Sequence, residues 1–144
     1  MLIGAGALRA QTVFRESIRG RVILPGDADY HSARRVFSFN PQTDKYPQII
    51  VRCAEPEDAA KAVLYAREKQ LDVAVRSGGH DLLGASVCDG LVIDLSRMNA
   101  IRMDRDARTV RVEAGARTGG LRSGNDGGGR TPVLFAASAR RPVA

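Results

Sequence analysis

The spacing of hydrophobic positions predicts a strand–helix–strand unit in the middle of the chain. A β-branched run at 47–53 (PQIIVRC) predicts a strand. The next residues, 54–58 (AEPED), place a proline and acidic residues where a helix begins. At helical spacing the apolar face would comprise Ala59, Ala60, Val63, Leu64 and Ala66. Residues 71–76 (LDVAVR) predict a second strand, and the unit predicts a parallel pair with a right-handed crossover.

The segments on either side of this unit predict further elements. Before it, residues 12–19 predict a short helix, 24–30 a turn, and 31–39 a helix ended by Asn40-Pro41. After it, the pattern predicts a strand at 90–95 and a hairpin of two strands at 100–104 and 109–114. We therefore expect an α+β fold, in which a small parallel lobe is followed by the start of an antiparallel lobe.

Composition limits the kind of core and the number of domains. The chain has 144 residues, about the length of one domain. Apolar residues make up 44%, but aromatics only 5%, and there is no tryptophan. The core should therefore be aliphatic.

The net charge of +6 is typical of a nucleic-acid-binding protein, but the distribution of the charge along the chain weakens that interpretation. Residues 1–116 hold seventeen basic and fifteen acidic side chains, a net charge of +2. Residues 117–144 hold five arginines against Asp126, a net charge of +4. Most of the excess therefore lies at the end of the chain, and we expect no nucleic-acid partner. A basic-tailed nucleic-acid-binding module is the least favoured alternative.

Neither the cysteines nor the first residues indicate a secreted or membrane protein. Cys53 and Cys88 lie 35 residues apart and form no metal or disulfide motif, so we expect reduced thiols and no metal. The first ten residues lack a basic region, and their apolar run is short for a signal peptide and for a membrane span. The expectation is a cytoplasmic protein without a membrane partner.

The stretch 75–90 (VRSGGHDLLGASVCDG) is the candidate site, because it begins where the second strand of the unit ends. Ligands of parallel sheets bind beyond the carboxyl ends of the strands. The paired Gly78 and Gly79 allow successive N–H groups to point into one anion-binding concavity. Ser77 offers a hydroxyl, His80 a nucleophilic nitrogen, and Arg76 either a charge for the ligand or a partner for an acid. A plain turn at the strand exit fits the same residues, and composition and spacing leave both open.

Ordered motifs from about residue 20 to 119 resemble the flavin-binding domain of the berberine-bridge-enzyme-like oxidases, which share the vanillyl-alcohol-oxidase, or PCMH-type, fold. The motifs are LPGD-x-x-Y (24–30), ARRVF (33–37), IIVRC (49–53), RSGGH (76–80), G-x-S (84–86), CDG-LVIDLSRM (88–98) and EAGA (113–116).

The resemblance implies an FAD cofactor and assigns roles in the loop. Backbone N–H groups of the loop 76–81 (Arg76, Ser77, Gly78, Gly79, His80 and Asp81) would wrap the FAD diphosphate. His80 matches the histidine that many members join covalently to the 8α-methyl group of the flavin. Gly84, Ser86 and Val87 would line the same pocket. The family transfers a hydride from an alcohol or amine carbon to FAD, which O₂ usually reoxidises.

The resemblance also sets the expected domain boundaries. We expect an N-terminal extension at 1–19, part of a PCMH-type FAD-binding domain at 20–121, and a disordered or non-native basic tail at 122–144, as a shifted reading frame would produce. The substrate domain, the second flavin-attaching cysteine and the catalytic residues of the family have no counterpart in this sequence. We therefore expect this fragment to bind no substrate and to be inactive alone. A non-catalytic flavin-binding remnant is the main alternative.

Overall fold

The computed structural model describes residues 5–37 and 44–117. Its helices and strands, in chain order, are α1 (Ala5–Ser17), β1 (Arg21–Ile23), α2 (Tyr30–Arg34), β2 (Ile49–Arg52), α3 (Pro56–Lys69), β3 (Val73–Arg76), β4 (Leu91–Asp94), β5 (Ile101–Asp104) and β6 (Thr109–Val112). The predicted tail at 122–144 and the end of the predicted 31–39 helix lie outside the described residues. No described helix has the length and hydropathy needed to cross a bilayer.

The strands β1 to β4 form one mixed sheet in the order β1-β2-β4-β3. Strand β1 is antiparallel to β2, whereas β2 and β3 are each parallel to β4. The prediction that β2 and β3 form a hydrogen-bonded pair is therefore wrong. All four residues of β4 are buried, and a strand buried on both faces is stable between two parallel neighbours. The crossover through α3 thus skips one strand position, which β4 fills.

Helix α3 covers one face of this sheet, and the face it uses coincides only in part with the predicted one, at Ala59 and Ala66. Its buried residues are Asp58, Ala62 and Ala66, whereas Val63 and Leu64 are exposed. Because the side chains at this contact are small, the helix backbone lies close to the sheet, and alanine side chains are enough to fill the space between them. On the same face Phe14 and Ile18 pack into the core. Part of the segment predicted as an N-terminal extension therefore contributes to the core.

The opposite face of the sheet is covered by α2 and by the loop after β3. Tyr30 and Ala33 of α2 and Val87 of the loop pack against Ile50 and Val92 of the sheet. The helix is shorter than predicted, since Arg35 after it has an extended backbone. The chain then runs towards the carboxyl ends of the parallel strands.

The hairpin of β5 and β6 forms a second sheet, as predicted, and a glycine joins it to the first. The N–H of Gly115 donates to the carbonyl of Met98 at 2.8 Å. A Cβ at Gly115 would lie 1.9 Å from the Leu95 carbonyl oxygen, so only glycine fits. The EAGA segment thereby lies beside the end of β4.

Candidate functional site

Three charged side chains meet at the carboxyl ends of the parallel strands. Arg52, Asp94 and Arg76 are the last residues of β2, β4 and β3, and the strand register places Asp94 beside both arginines. Because parallel strands end at one edge of the sheet, these side chains form the floor of one site.

The carboxylate of Asp94 links the two arginines. Its Oδ2 accepts from Arg76 Nη2 at 2.8 Å and from Arg52 Nε at 3.3 Å, and its Oδ1 accepts from the Ser96 N–H at 3.0 Å. Burial alone would raise the pKa of Asp94, but the Ser96 hydrogen bonds and the Arg76 charge outweigh it and lower the pKa. Asp94 is therefore ionised and fully engaged within the protein.

The loop after β3 has the backbone geometry that paired glycines permit. Gly79 has a φ of +71°, which favours glycine, whereas Gly78 lies outside the left-handed region. A Cβ built on Gly78 meets nothing within 4 Å. Neither strain nor packing within the described residues thus requires glycine at 78.

Contacts with two other segments hold this loop in place. The N–H of Phe37 donates to the Gly79 carbonyl at 3.0 Å, and the Phe37 ring stacks on the His80 ring with centroids 4.5 Å apart. The Ser77 hydroxyl donates to the carbonyl of Ala114 in the EAGA segment. The imidazole of His80 is exposed. It therefore lies at the rim of the site, on an aromatic support.

The second half of the loop is organised around Asp81. Its carboxylate accepts from the N–H groups of Leu83 at 2.9 Å, Gly84 at 3.1 Å and Ser86 at 2.5 Å. These bonds, the one from Ser86 first, lower the pKa of Asp81. Gly84 has a φ of +75°, which the turn requires, and Val87 is buried against the sheet. The side chain of Asp81 and residues Gly84, Ser86 and Val87 thus shape the loop from behind.

An open cleft of about 710 Å³ lies above the strand ends. It is lined by residues 76–80 of the loop, by the end of α2, and by the segment after β6. Among the described residues, its charged lining consists of Arg35, Arg52, Arg76 and Arg117 against one acid, Asp94. The cleft therefore attracts anions.

The structure brings together five of the nine residues that the sequence indicated, Arg76, Ser77, Gly78, Gly79 and His80. Asp81, Gly84, Ser86 and Val87 do not line the cleft, and their predicted contact with a cofactor stays a prediction. Sequence reasoning missed Arg52 as a cleft residue. The signal was present only in part, since Arg52 is the last residue but one of its predicted strand, whereas Arg76 is the last residue of its own.

The described part of the chain holds no group of three or more side chains arranged to bind a metal ion. The two cysteines form no disulfide. Cys53 is buried, and burial raises the pKa of its thiol to about 12, so the sulfur is an unreactive part of the core. The polar chemistry of the site therefore rests on guanidinium groups, backbone N–H groups and one imidazole.

Comparison with known proteins identifies the fold and the domain type. Residues 47–140 match the family model described as FAD binding domain. An uncharacterised FAD-linked oxidoreductase of Bacillus subtilis is 37% identical over 106 residues, which are 73% of this chain and 23% of that protein. The (R)-6-hydroxynicotine oxidase of Paenarthrobacter nicotinovorans is 36% identical over 106 residues, with the same coverage of each chain.

Solved structures give the same picture. The 6-hydroxy-D-nicotine oxidase from Arthrobacter nicotinovorans superposes with a TM-score of 0.68 at 34% identity, covering 72% of this chain and 23% of that one. The BBE-like 1 protein of Physcomitrella patens also gives 0.68, at 26% identity and with coverages of 76% and 24%. The chain thus spans about a quarter of the length of these relatives.

Proposed function

Because the chain belongs to the FAD-binding domain family, whose cofactor is FAD, we propose that its cleft binds the diphosphate of FAD and that the chain is the cofactor-binding part of a flavin-dependent oxidoreductase. Bound FAD supplies the acceptor for a hydride from an alcohol or amine carbon, and O₂ takes up the electrons. The chain itself contributes binding and orientation. On this proposal the substrate and the remaining catalytic groups belong to other parts of a longer protein, and the 144 residues alone are inactive.

One observation carries the proposal. Within residues 5–37 and 44–117, no protein acceptor is recorded for the N–H groups of Gly78, Gly79 and His80, which lie at the basic cleft. Successive N–H groups around a left-handed glycine form a concavity that suits phosphate oxygens. Arginines in the lining add charge of the required sign. An adenine or a flavin ring without the diphosphate would use neither feature.

The same proposal gives His80 the role of contacting the flavin ring, and of attaching it. His80 would offer an imidazole nitrogen for a bond to the 8α carbon of the flavin, in place of one hydrogen of that carbon. The hydrogen lost from the carbon and the one lost from the nitrogen would leave as two protons and two electrons in all, which reduce O₂ to H₂O₂, so that atoms and electrons balance. Support comes from the exposed position of His80 at the rim of the cleft and from its contact with Phe37.

We expect attached flavin to stay with the protein after acid precipitation and to give a fluorescent band at 15.5 kDa in a denaturing gel. His80→Ala should remove the band, whereas His31→Ala, which changes an exposed histidine in α2, should keep it. Flavin that dissociates from the wild-type chain in acid would contradict attachment. If that same chain still bound FAD saturably, the result would contradict only the attachment and not the proposed diphosphate site.

A further inference from the structure

We infer that Arg52, a residue outside the glycine loop, binds the diphosphate of the cofactor through its two Nη groups. This inference rests on the proposed function and adds a residue to that site. It follows from the way in which Asp94 divides its hydrogen bonds between two arginines that look equivalent in the sequence.

The two arginines differ in how completely the protein occupies their donors. Arg76 donates through Nη2 to Asp94 at 2.8 Å and through Nη1 to the Arg35 carbonyl at 3.5 Å. Within residues 5–37 and 44–117, Arg52 donates only through Nε, to Asp94 at 3.3 Å. No acceptor for its Nη groups is recorded in the described ranges of the chain. Both Nη groups of Arg52 are therefore still available on the floor of the cleft, whereas each Nη of Arg76 already has an acceptor.

The exposed fractions of the side chains also indicate Arg52 as the residue that contacts the ligand. The side chain of Arg76 is 6% exposed, and that of Asp94 3%, whereas that of Arg52 is 23% exposed. Both arginines line the cleft, but only the Arg52 side chain is open enough for a ligand to reach its terminal nitrogens. Arg76 acts as a fixed part of the floor.

Charge balance on the floor explains why an anion is the ligand. One carboxylate faces two guanidinium groups, so the cluster carries a net charge of +1. The shorter Asp94 contact belongs to Arg76, which leaves the uncompensated charge on Arg52. The Nε bond also fixes the plane of that guanidinium. A fixed fork of two N–H donors matches two oxygens of a phosphate group.

The experiment measures binding of FAD, ADP and riboflavin to the 144-residue chain by isothermal titration. ADP shares the diphosphate with FAD, whereas riboflavin has no phosphate. Arg52→Gln should weaken FAD and ADP binding by about 10- to 100-fold, the range for lost charge-assisted hydrogen bonds. Riboflavin binding should not change. Arg52→Lys keeps the charge beside Asp94 but loses the fork, and should give an intermediate loss.

Arg111→Gln is the matched control, because it removes one positive charge from an exposed position on strand β6 outside the cleft. It should leave all three affinities within about twofold. The inference is wrong if Arg52→Gln and Arg52→Lys both bind FAD and ADP as the wild type does. If the wild-type chain binds neither ligand, the proposed function fails, and the inference fails with it. Thermal unfolding of each variant shows whether a loss of affinity arises from misfolding. If Arg52→Gln is misfolded, the affinities of Arg52→Lys for FAD and ADP test the inference instead.

Discussion

Replacing Asp58 by alanine should lower the free energy of unfolding by about 3 kcal/mol, one of the largest effects of any single change in the chain. Asp58 is fully buried, and its carboxylate accepts from the N–H groups of Arg19 at 2.8 Å, Gly20 at 2.9 Å and Ala54 at 2.9 Å. It thereby ties the entry of β1 to the end of β2 and the start of α3. Without it three part-buried donors lose their acceptor.

The pH dependence of this effect has a definite sign. Burial by itself would raise the pKa of Asp58, but the backbone donors outweigh it and lower the pKa. The carboxylate therefore stabilises the fold above its unfolded-state pKa, near pH 4, and this contribution disappears as the pH falls through the lower pKa of the folded state. Urea unfolding at pH 7 and below pH 4 should show the wild type approaching Asp58→Ala as the pH falls.

Glu57→Ala is the matched control, since Glu57 is the adjacent, exposed acid in the first turn of α3. It should change the stability by no more than about 0.5 kcal/mol, the size of a helix-dipole contribution. Equal losses for the two variants would show that Asp58 acts only as a first-turn acid. That result would refute the role assigned to its three hydrogen bonds.

Replacing Gly78 by valine should weaken FAD binding by at least tenfold without altering the fold. Nothing lies within 4 Å of a Cβ at position 78, and its φ is not left-handed, so the free chain accommodates the side chain. A ligand that approaches the Gly78 and Gly79 N–H groups would meet the two added methyl groups. A tenfold change in the dissociation constant corresponds to about 1.4 kcal/mol.

Gly26→Val provides the control for this substitution. Gly26 also has nothing within 4 Å of a Cβ, but it lies in the turn after β1, outside the cleft. Both variants should unfold within about 0.5 kcal/mol of the wild type. Fluorescence titration should then show an FAD affinity that is reduced for Gly78→Val and unchanged for Gly26→Val. Equal affinity for the two variants would contradict the placement of the ligand on the loop.

The local elements of the fold were predictable, but the order of the strands was not. Strand β2, helix α3 and strand β3 follow from the spacing of apolar residues and from the proline and acids at the helix start. The position of β4 between β2 and β3 depends on which strand best fills the centre of the sheet. The strand order depends on packing between segments that are distant in the sequence. The local spacing of apolar residues carries no information about that packing.

The contacts of the polar residues, in the site and elsewhere, were likewise predictable in some cases and not in others. The place of the loop from Arg76 to His80 at the cleft was predictable, because the loop follows the carboxyl end of a parallel strand, although a plain turn fitted the same residues. Asp58 was interpreted as a helix-start acid, since only the folded chain brings Arg19 and Gly20 to its carboxylate. Arg52 and Arg76 are alike in sequence. Only the folded chain shows that the guanidinium of Arg76 lies against the Asp94 carboxylate and the Arg35 carbonyl, and that Arg76 is therefore the less exposed of the two.

Amide chemical shifts measured during an FAD titration of the ¹⁵N-labelled chain test most directly whether the loop after β3 binds the diphosphate of FAD. We expect saturable shifts that are largest for the N–H groups of Gly78, Gly79 and His80. Shifts should be small along a second surface groove, which Val13, Leu64 and Tyr65 line between α1 and α3. Saturable shifts centred on that groove, or no saturable shifts at the loop, would contradict diphosphate binding by the loop.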